Sequence, residues 1–302
     1  MLDVQNIVFS YNKSVILNHV SFKAKKGENI AIIGESGSGK STLLKLIYGE
    51  YDLNSGHISW NNQPILGPKF NLVVGYDFMK YVTQEFDLMP FISVEENVGK
   101  HLSNFFPERK KDRINQLLEI VELSDFKSVK VKTLSGGQKQ RVALARALAK
   151  APEVILLDEP FSHIDSFKKR SLRRNVFNFL KQENITCLVA THDKNDVLGF
   201  ADRVLVLQDQ KIAFKDTVKS LYKNPNIPLV ASFFCEHNNI NGQLVYANQL
   251  TVVKKSNIEV AVKQSYFQGD YYLIEGIRNG VSIFFHYDTA LQEGVNVFLK
   301  ID

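Results

Sequence analysis

Apolar residues along the first two-thirds of the chain follow two spacings, one typical of strands and one of helices. Residues 4–9 alternate, and residues 30–33 form the continuous apolar run of a strand buried on both faces. A helical spacing of leucine and isoleucine follows directly over residues 39–48. Further segments predict strands at residues 154–157, 185–190 and 204–207 and a helix at residues 172–181. This order of elements predicts an α/β fold.

Two stretches lie outside this alternation. Residues 91–150 are predicted to be mostly helical, with apolar faces at helical spacing. Prolines in residues 224–228 end the helical run, and short strand-like segments follow, separated by turn signals such as the hairpin dipeptide Asn279-Gly280. The predicted domains are residues 1–222, with a helical subdomain at about 86–150, and residues 223–302, a linker with a small β domain.

The composition is that of an ordinary globular protein, with 44% hydrophobic and 23% charged residues among 302. No stretch reaches the roughly 18 apolar residues of a membrane-spanning helix, and the first residues lack the pattern of an export signal. Basic clusters such as residues 109–111 and 168–170 are typical of solvated helix faces, so no nucleic acid is expected as a partner. Two cysteines leave a disulfide open, but Cys187 is expected to be a small buried hydrophobe.

A glycine-rich stretch joins the strand at residues 30–33 to the helix behind it. It fits the phosphate-binding P-loop pattern, in which glycines let successive backbone N–H groups point at phosphates and the helix adds its positive dipole end. Lys40 would reach the β- and γ-phosphates, and Ser41 would place its hydroxyl on Mg²⁺. The candidate phosphate-binding residues are Gly34, Glu35, Ser36, Gly37, Ser38, Gly39, Lys40, Ser41 and Thr42.

A second segment of serine and glycine opens another predicted helix. Ser135, Gly136 and Gly137 stand in front of it, as in an anion-receiving helix N-terminus. One triphosphate does not need two such cradles in one chain, so the second is expected to serve a nucleotide held by another copy. A plain helix N-cap at Ser135 is the alternative interpretation.

Residues 134–138, Leu-Ser-Gly-Gly-Gln, spell the signature motif of the ABC (ATP-binding cassette) ATPases, and the chain resembles that family over residues 1–222. The resemblance implies a P-loop NTPase core with an antiparallel β subdomain and a helical subdomain, and ATP as the bound nucleotide. It also implies that two copies, or the chain and a paired ABC subunit, pack head to tail with two ATP molecules between them. Ser135, Gly136, Gly137 and Gln138 would then face the partner's nucleotide.

An apolar strand at residues 154–157 ends in two acids, Asp158 and Glu159. Alone, this pattern also fits a solvated acidic turn; downstream of a P-loop it matches the Walker B motif. The match implies that Asp158 holds Mg²⁺ through water and that Glu159 polarises the attacking water. Because alternate residues of a strand point to opposite faces, adjacent carboxylates can serve different tasks.

Four single residues complete the implied site by their order and spacing. Gln84 matches the Q-loop glutamine that senses Mg²⁺ and the attacking water and links the site to a permease. His192 matches the switch histidine at the γ-phosphate, and Tyr11 matches the aromatic residue that stacks on adenine. Asp165 matches the D-loop aspartate at the dimer interface, although residues 163–164 before it depart from the family pattern.

Two segments match the family less well. Residues 66–78, before the Q-loop, are longer than usual, and the resemblance gives them no function. Residues 223–302 are similar to the linker and small β domain of importer ATPases for polyamines, iron, sulfate or sugars, but they are short and lack the usual Arg-Pro-Glu near Lys263. This tail favours import over export, and ligand sensing by it stays open.

Together the motifs predict an ATP-hydrolysing subunit that drives solute transport through separate permease subunits, peripheral to the cytoplasmic face of the cell membrane. A substrate-binding protein is a further candidate partner. A groove near Phe86 and residues 88–91 is where a permease helix is expected to dock. Two alternatives stay open: an ABC ATPase that regulates a membrane partner without transport, and a soluble ABC ATPase that acts on ribosomes or DNA.

Overall fold

The computed structural model describes residues 1–83, 85–225 and 227–302, and these form two compact units, Met1–Val218 and Lys219–Asp302. The strands of the first unit are β1 (Leu2–Tyr11), β2 (Ser14–Ala24), β3 (Asn29–Ile33), β4 (Ser55–Trp60), β5 (Gln63–Pro64), β6 (Met79–Val82), β7 (Val154–Asp158), β8 (Thr186–Ala190), β9 (Arg203–Gln208) and β10 (Lys211–Thr217). Its helices are α1 (Lys40–Tyr48), α2 (Val94–Gly99), α3 (Pro107–Ile120), α4 (Gly136–Leu148), α5 (Ser166–Gln182) and α6 (Lys194–Phe200).

A six-stranded sheet carries the candidate site. Its strand order is β10-β9-β3-β8-β7-β6, in which only β10 runs antiparallel to its neighbour. Every residue of β3, β7 and β8 is buried, as the continuous apolar runs predict. Because neighbouring parallel strands end at the same edge of a sheet, the segments that follow β3, β7 and β8 meet at one edge.

A second, antiparallel sheet in the same unit has the order β2-β1-β4-β5. Apolar side chains of β1, β2 and β4 share one core with α1 and with one face of the six-stranded sheet. Ile16 and Leu17 of β2 lie directly against Gly39, the glycine that precedes α1. The antiparallel sheet therefore forms one side of the loop that joins β3 to α1.

The predicted helical subdomain contains α2, α3 and α4, with 3-10 turns at Ser124–Phe126 and Val131–Thr133. Helix α2 begins with a capping box, in which the Ser93 side chain and the Glu96 side chain each bond the other's backbone N–H. Asn97, fully buried, donates its amide to the carbonyl of Met89 and accepts from the N–H of Met89. These bonds fix the segment that enters the helical subdomain.

The second unit is mostly β. After α7 (Val218–Lys223), which begins at the boundary, its elements are α8 (Pro228–Phe234), β11 (His237–Ile240), β12 (Gln243–Tyr246), β13 (Leu250–Val253), β14 (Ile258–Phe267), β15 (Tyr272–Arg278), β16 (Val281–Tyr287) and β17 (Asn296–Ile301). Strands β11 and β12 form a hairpin, and the others form an antiparallel sheet of order β13-β17-β14-β15-β16. The role of this unit as a regulatory-type domain stays a prediction.

The α/β fold class is confirmed, and so is the hairpin at Asn279-Gly280: both residues have positive φ, 50° and 79°, in the turn between β15 and β16. Residues 228–234, expected to open the β domain, instead form α8, because proline is accepted in the first turn of a helix as well as just after a helix has ended. Cys187 is fully buried as expected, and both cysteines are free. Within the part of the chain described, no helix is long and apolar enough to cross a membrane.

Candidate functional site

The loop between β3 and α1 is shaped by its glycines. A side chain at Gly34 would place its Cβ 2.3 Å from the carbonyl oxygen of Leu207, so only glycine fits there. Gly39, directly before α1, has a left-handed backbone with φ of 97°, which favours glycine. The backbone therefore turns sharply into the N-terminus of α1, where the helix dipole favours an anion.

The Lys40 side chain folds back over this loop. Its ammonium donates to the carbonyl oxygens of Gly34, at 2.9 Å, and of Glu35, at 2.8 Å. Burial lowers the pKa of Lys40, while the nearby carboxylates of Asp158 and Glu159 act in the opposite direction. A partly buried cation held on backbone oxygens is well suited to exchange them for phosphate oxygens.

Ser38 supplies an independent test of whether the loop fits a phosphate. Its hydroxyl oxygen is buried and has no hydrogen-bond partner among the described residues. A buried hydroxyl without a partner is unfavourable by about 1–3 kcal/mol. A phosphate oxygen in the loop would accept from this hydroxyl, so the residues present fit the group.

Asp158 lies at the end of β7, buried beside the start of α1. Its carboxylate accepts a hydrogen bond from the Tyr81 hydroxyl, at 3.1 Å, and from the Ser41 hydroxyl. Burial raises the pKa of Asp158, and these two hydrogen bonds offset part of that rise. A hydroxyl and a carboxylate side by side are oxygen ligands of the kind Mg²⁺ takes, together with water and substrate phosphates. The described residues hold no cluster of three or more His, Cys, Asp or Glu side chains that would bind a metal alone.

Glu159 follows β7 with a left-handed backbone, φ of 49°, which is uncommon for a residue other than glycine. Its N–H donates to the carbonyl of Ala190 in β8, at 2.9 Å. Its carboxylate lies 3.1 Å from Nδ1 of His192, which is mostly exposed in the segment after β8. The ends of β7 and β8 thus bring the two predicted catalytic side chains together.

The signature segment forms the N-terminus of α4, in a part of the chain separate from the phosphate-binding loop. Ser135 caps the helix: its hydroxyl accepts from the N–H of Gln138, and the Gln138 side chain accepts from the N–H of Ser135. Ser135 and Gly136 are exposed, and Gly137 and Gln138 are half-buried. Both interpretations of Ser135 stay compatible with this geometry, since a capped helix N-terminus also receives anions.

Gln140, one turn further along α4, is a residue that the sequence analysis missed. It is buried, donates to the carbonyl of Glu159 at 2.9 Å and accepts from the N–H of His163 at 3.1 Å. It therefore links the signature helix to the backbone of the predicted water-polarising residue. Its only sequence signal is a polar residue on the apolar face of α4, and Tyr81, bonded to Asp158, has no local signal at all.

The remaining predicted residues lie as follows. Tyr11 is partly exposed at the end of β1, with its ring edge-to-face against Phe9 and Tyr51. Asp165 is exposed and precedes α5 without a side-chain cap. Gln84 lies outside the described residues. Glu35, Ser36, Gly37 and Ser38 line one side of a cavity of about 300 Å³ whose other walls are Val15, Ile16 and residues 207–210.

A groove of about 460 Å³ lies between the sheet and the helical subdomain. Its walls include Tyr48 and Tyr81 on the sheet side and residues 143, 146, 147 and 150 of the helical side. Phe86 lines it as expected, whereas residues 88–91 are absent from its described lining. Of the residues predicted to form a docking groove, only Phe86 therefore belongs to the described lining of this groove.

Known proteins are similar to this chain in sequence. A family model described as "ABC transporter" matches residues 17–162. The chain is 37% identical over 238 residues to the Fe(3+) ions import ATP-binding protein FbpC of Haemophilus influenzae, covering 78% of this chain and 68% of that protein. It is 31% identical over 283 residues to the spermidine/putrescine import ATP-binding protein PotA of Bacillus thuringiensis, covering 92% of this chain and 85% of that protein.

Two solved structures are similar as well. The ATP-binding cassette MJ0796, in a dimeric post-hydrolysis state bound to ADP and Pi, has a TM-score of 0.64 and 29% identity over 72% of this chain and 99% of that one. The protein cbiO1 from Clostridium perfringens, part of the ABC transporter complex cbiONQ, has a TM-score of 0.65 and 28% identity over 74% of this chain and 91% of that one.

The fold and the site define a P-loop ATPase of the cassette type. The chain belongs to the ABC transporter family of ATP-binding proteins, as an ATP-binding and ATP-hydrolysing subunit.

Proposed function

We propose that this chain is the motor of an ABC importer, which hydrolyses Mg²⁺-bound ATP to drive a solute through separate permease subunits. One observation supports this most strongly: Lys40, Ser41, Asp158, Glu159 and His192 converge at a single edge of the parallel sheet. The import functions in the names of the FbpC and PotA relatives support the direction of transport.

The roles proposed for the residues follow from their chemistry. The Lys40 ammonium and the N–H groups at the start of α1 bind the phosphates. Ser41, Asp158 and Gln84 would hold Mg²⁺, which neutralises charge on the phosphates when bound. The Glu159 carboxylate accepts a hydrogen bond from the attacking water, orients it and draws off its proton.

His192 is proposed to act beside Glu159. Its Nδ1 lies 3.1 Å from the Glu159 carboxylate, so a proton on this nitrogen would hold the carboxylate in place. Since His192 is mostly exposed, it can also reach a phosphate oxygen at the mouth of the site. This pair would orient the water and stabilise the charge that develops on the phosphate.

A second copy, or a paired ABC subunit, is proposed to complete the site head to tail. Ser135, Gly136, Gly137 and Gln138 would receive the nucleotide held by the partner's P-loop, and Asp165 would lie at the interface. The exposure of Ser135 and Gly136 at the tip of α4, and the dimeric form of the MJ0796 cassette, support this arrangement. Tyr11 is proposed to stack on the adenine.

The 460 Å³ groove is proposed to receive a cytoplasmic helix of the permease. Phe86 lines this groove, as do Thr83 and Glu85, the two residues that flank Gln84 in the sequence. A helix bound there would therefore contact the segment that carries Gln84. Docking would hold the chain at the cytoplasmic face of the membrane, with a substrate-binding protein as a further partner on the other side.

Purification of the tagged chain from its own cells in mild detergent tests this proposal. We expect permease subunits to copurify in a fixed ratio and the complex to hydrolyse ATP, with hydrolysis lost in a complex carrying Glu159→Gln. Copurification with ribosomal proteins or DNA and with no membrane protein would contradict it.

A further inference from the structure

Residues 66–75, here named the apolar loop, expose several large apolar side chains to solvent. Within it Phe70, Leu72 and Val73 are 70%, 105% and 78% exposed, and Val74 is 41% exposed. Single apolar side chains on a surface are ordinary, but four within five residues form a patch. Such a patch is typical of an interaction surface.

The base of the apolar loop is held by its own polar contacts. The Tyr76 hydroxyl accepts from the N–H of Leu66 at 2.6 Å, and the Asn71 amide donates to the carbonyl of Leu66 at 3.0 Å and to the Tyr76 hydroxyl at 2.9 Å. The N–H of Lys69 donates to Asp52 at 3.2 Å. The tip is therefore presented in a preset conformation, which reduces the entropy lost when a partner binds.

The apolar loop continues into the groove proposed for the permease. Gly75 packs against Tyr48 so closely that a Cβ at this position would lie 2.5 Å from the tyrosine hydroxyl. Tyr48 lines the groove, with its ring 5.6 Å from that of Tyr81. Asp77, two residues beyond the apolar loop, lines the groove as well. The apolar loop thus forms part of the rim of the groove.

The position of the apolar loop argues against a second copy as its occupant. Lys40, at the phosphates, begins α1, and Tyr48, at the apolar loop, ends it. Nine residues of helix span about 13 Å. A copy that meets this chain across the nucleotide would therefore lie at the other end of α1.

Charge argues against a lipid surface. Lys69 is the only cation in the apolar loop, and Asp52 and Asp77 lie close to its two ends. Segments that bind the membrane interface combine apolar side chains with several lysines or arginines, whereas the apolar loop itself carries one lysine.

We propose that the apolar loop is a second docking site for the permease, beside the groove, and that it receives an apolar cytoplasmic segment of a permease subunit. This inference rests on the proposed function. The groove would take one helix, and Phe70, Leu72 and Val73 would bury their side chains against an adjoining segment. Partner choice would then depend on a surface outside the nucleotide site.

The test uses the full chain and the permease subunits that copurify with it. The variant is Leu72→Ser combined with Val73→Ser; Phe267→Ser, an exposed apolar residue in the second unit, is the matched control. We expect the amount of permease that copurifies with the double variant to fall about tenfold or more. The basal ATPase rate of the isolated chain should stay unchanged. Phe267→Ser, and the apolar replacement Leu72→Met, should retain permease normally. A photoreactive amino acid at Val73 should crosslink to a cytoplasmic segment of the permease.

Normal permease retention by the double variant would overturn the inference and leave the proposed function standing. The inference would also be overturned if light scattering showed that the isolated wild-type chain self-associates and the double variant does not, because the apolar loop would then bind a second copy. Loss of binding to vesicles of phosphatidylethanolamine and phosphatidylglycerol, without permease, would assign it to lipid. If the wild-type chain brings down no permease at all, the proposed function fails, and this inference fails with it.

Discussion

Gln140 offers a test of whether the signature helix positions the catalytic carboxylate within one chain. Leucine at position 140 keeps the volume of the side chain and removes both of its polar functions. The N–H of His163 then loses its acceptor, whereas the carbonyl of Glu159 still accepts from the N–H and the hydroxyl of Ser162, at 3.2 and 3.0 Å. One backbone donor is left without a partner, and one acceptor is only weakened.

The magnitude follows from these contacts. An unsatisfied buried N–H costs about 1–3 kcal/mol, and since His163 is an exposed residue that water can reach, we expect Gln140→Leu to lower the free energy of unfolding by about 1–2 kcal/mol. The effect on catalysis should be larger. Glu159 has a positive φ, a conformation that is unfavourable by about 1–3 kcal/mol unless its surroundings hold it. A shift of about 1 Å in its carboxylate would lower turnover by up to about 100-fold.

The assay combines chemical unfolding with steady-state ATP hydrolysis at saturating Mg²⁺ and ATP. We expect kcat to fall at least about tenfold with KM for ATP within about twofold, because the phosphate loop is untouched. Ser162→Ala is the matched control: it removes another donor to the Glu159 carbonyl and leaves the bonds of Gln140 to Glu159 and His163 in place, so kcat should change less than about threefold. A Gln140→Leu protein that is destabilised yet hydrolyses ATP at the normal rate would refute the positioning role.

Three further changes test other parts of the account. Ser135→Arg should abolish hydrolysis and leave ATP binding by an isolated monomer intact, as measured by nucleotide titration, because the residue acts on the partner's nucleotide. Arg173→Leu should lower the free energy of unfolding of the first unit by about 3–5 kcal/mol in urea, because it leaves the buried carboxylate of Asp196 without its cation. Asp158→Asn should raise the melting temperature of the nucleotide-free protein near neutral pH, because burial raises the pKa of Asp158 and disfavours its charged form.

Each of these has a control or a contrary result. ATP hydrolysis by Ser135→Arg at the normal rate would contradict action across a dimer. Arg174→Leu, at the exposed neighbour of Arg173, should change stability by no more than about 0.5 kcal/mol. For Asp158 the raised pKa means that the folded state binds its proton more tightly than the unfolded state. Its destabilising effect is therefore full at neutral pH and fades as pH falls toward the ordinary pKa of 3.8, so a stability gain in Asp158→Asn that does not shrink on acidification would contradict the assignment.

Local pattern was enough to predict the elements that carry the site. Strands β3 and β7 are continuous apolar runs because both of their faces are covered, and α1 follows a glycine loop whose spacing is specific. The turn at Asn279-Gly280 followed from the positive φ values that such residues adopt readily. In each case the cause lies within a few residues of its effect.

Contacts between distant segments could not be predicted in this way. The bond from Gln140 to Glu159 spans 19 residues and that from Tyr81 to Asp158 spans 77, and no local spacing encodes either. Local spacing also does not indicate that the apolar residues 72–74 project into solvent, or that Asn71 and Tyr76 on either side of them are hydrogen-bonded to each other. Pro228 was ambiguous for a different reason, since proline is as acceptable at the first turn of a helix as after its end.

Glu159→Gln tests the central claim most directly, since it alters one oxygen of the side chain that is assigned to the attacking water. The measurement compares the dissociation constant for ATP with the turnover number in the same preparation of the complex. ATP affinity within about threefold of wild type, together with turnover at least about 100-fold lower, is the predicted result. Hydrolysis near the wild-type rate would contradict the assignment of Glu159 and, with it, the site built at the ends of β3, β7 and β8.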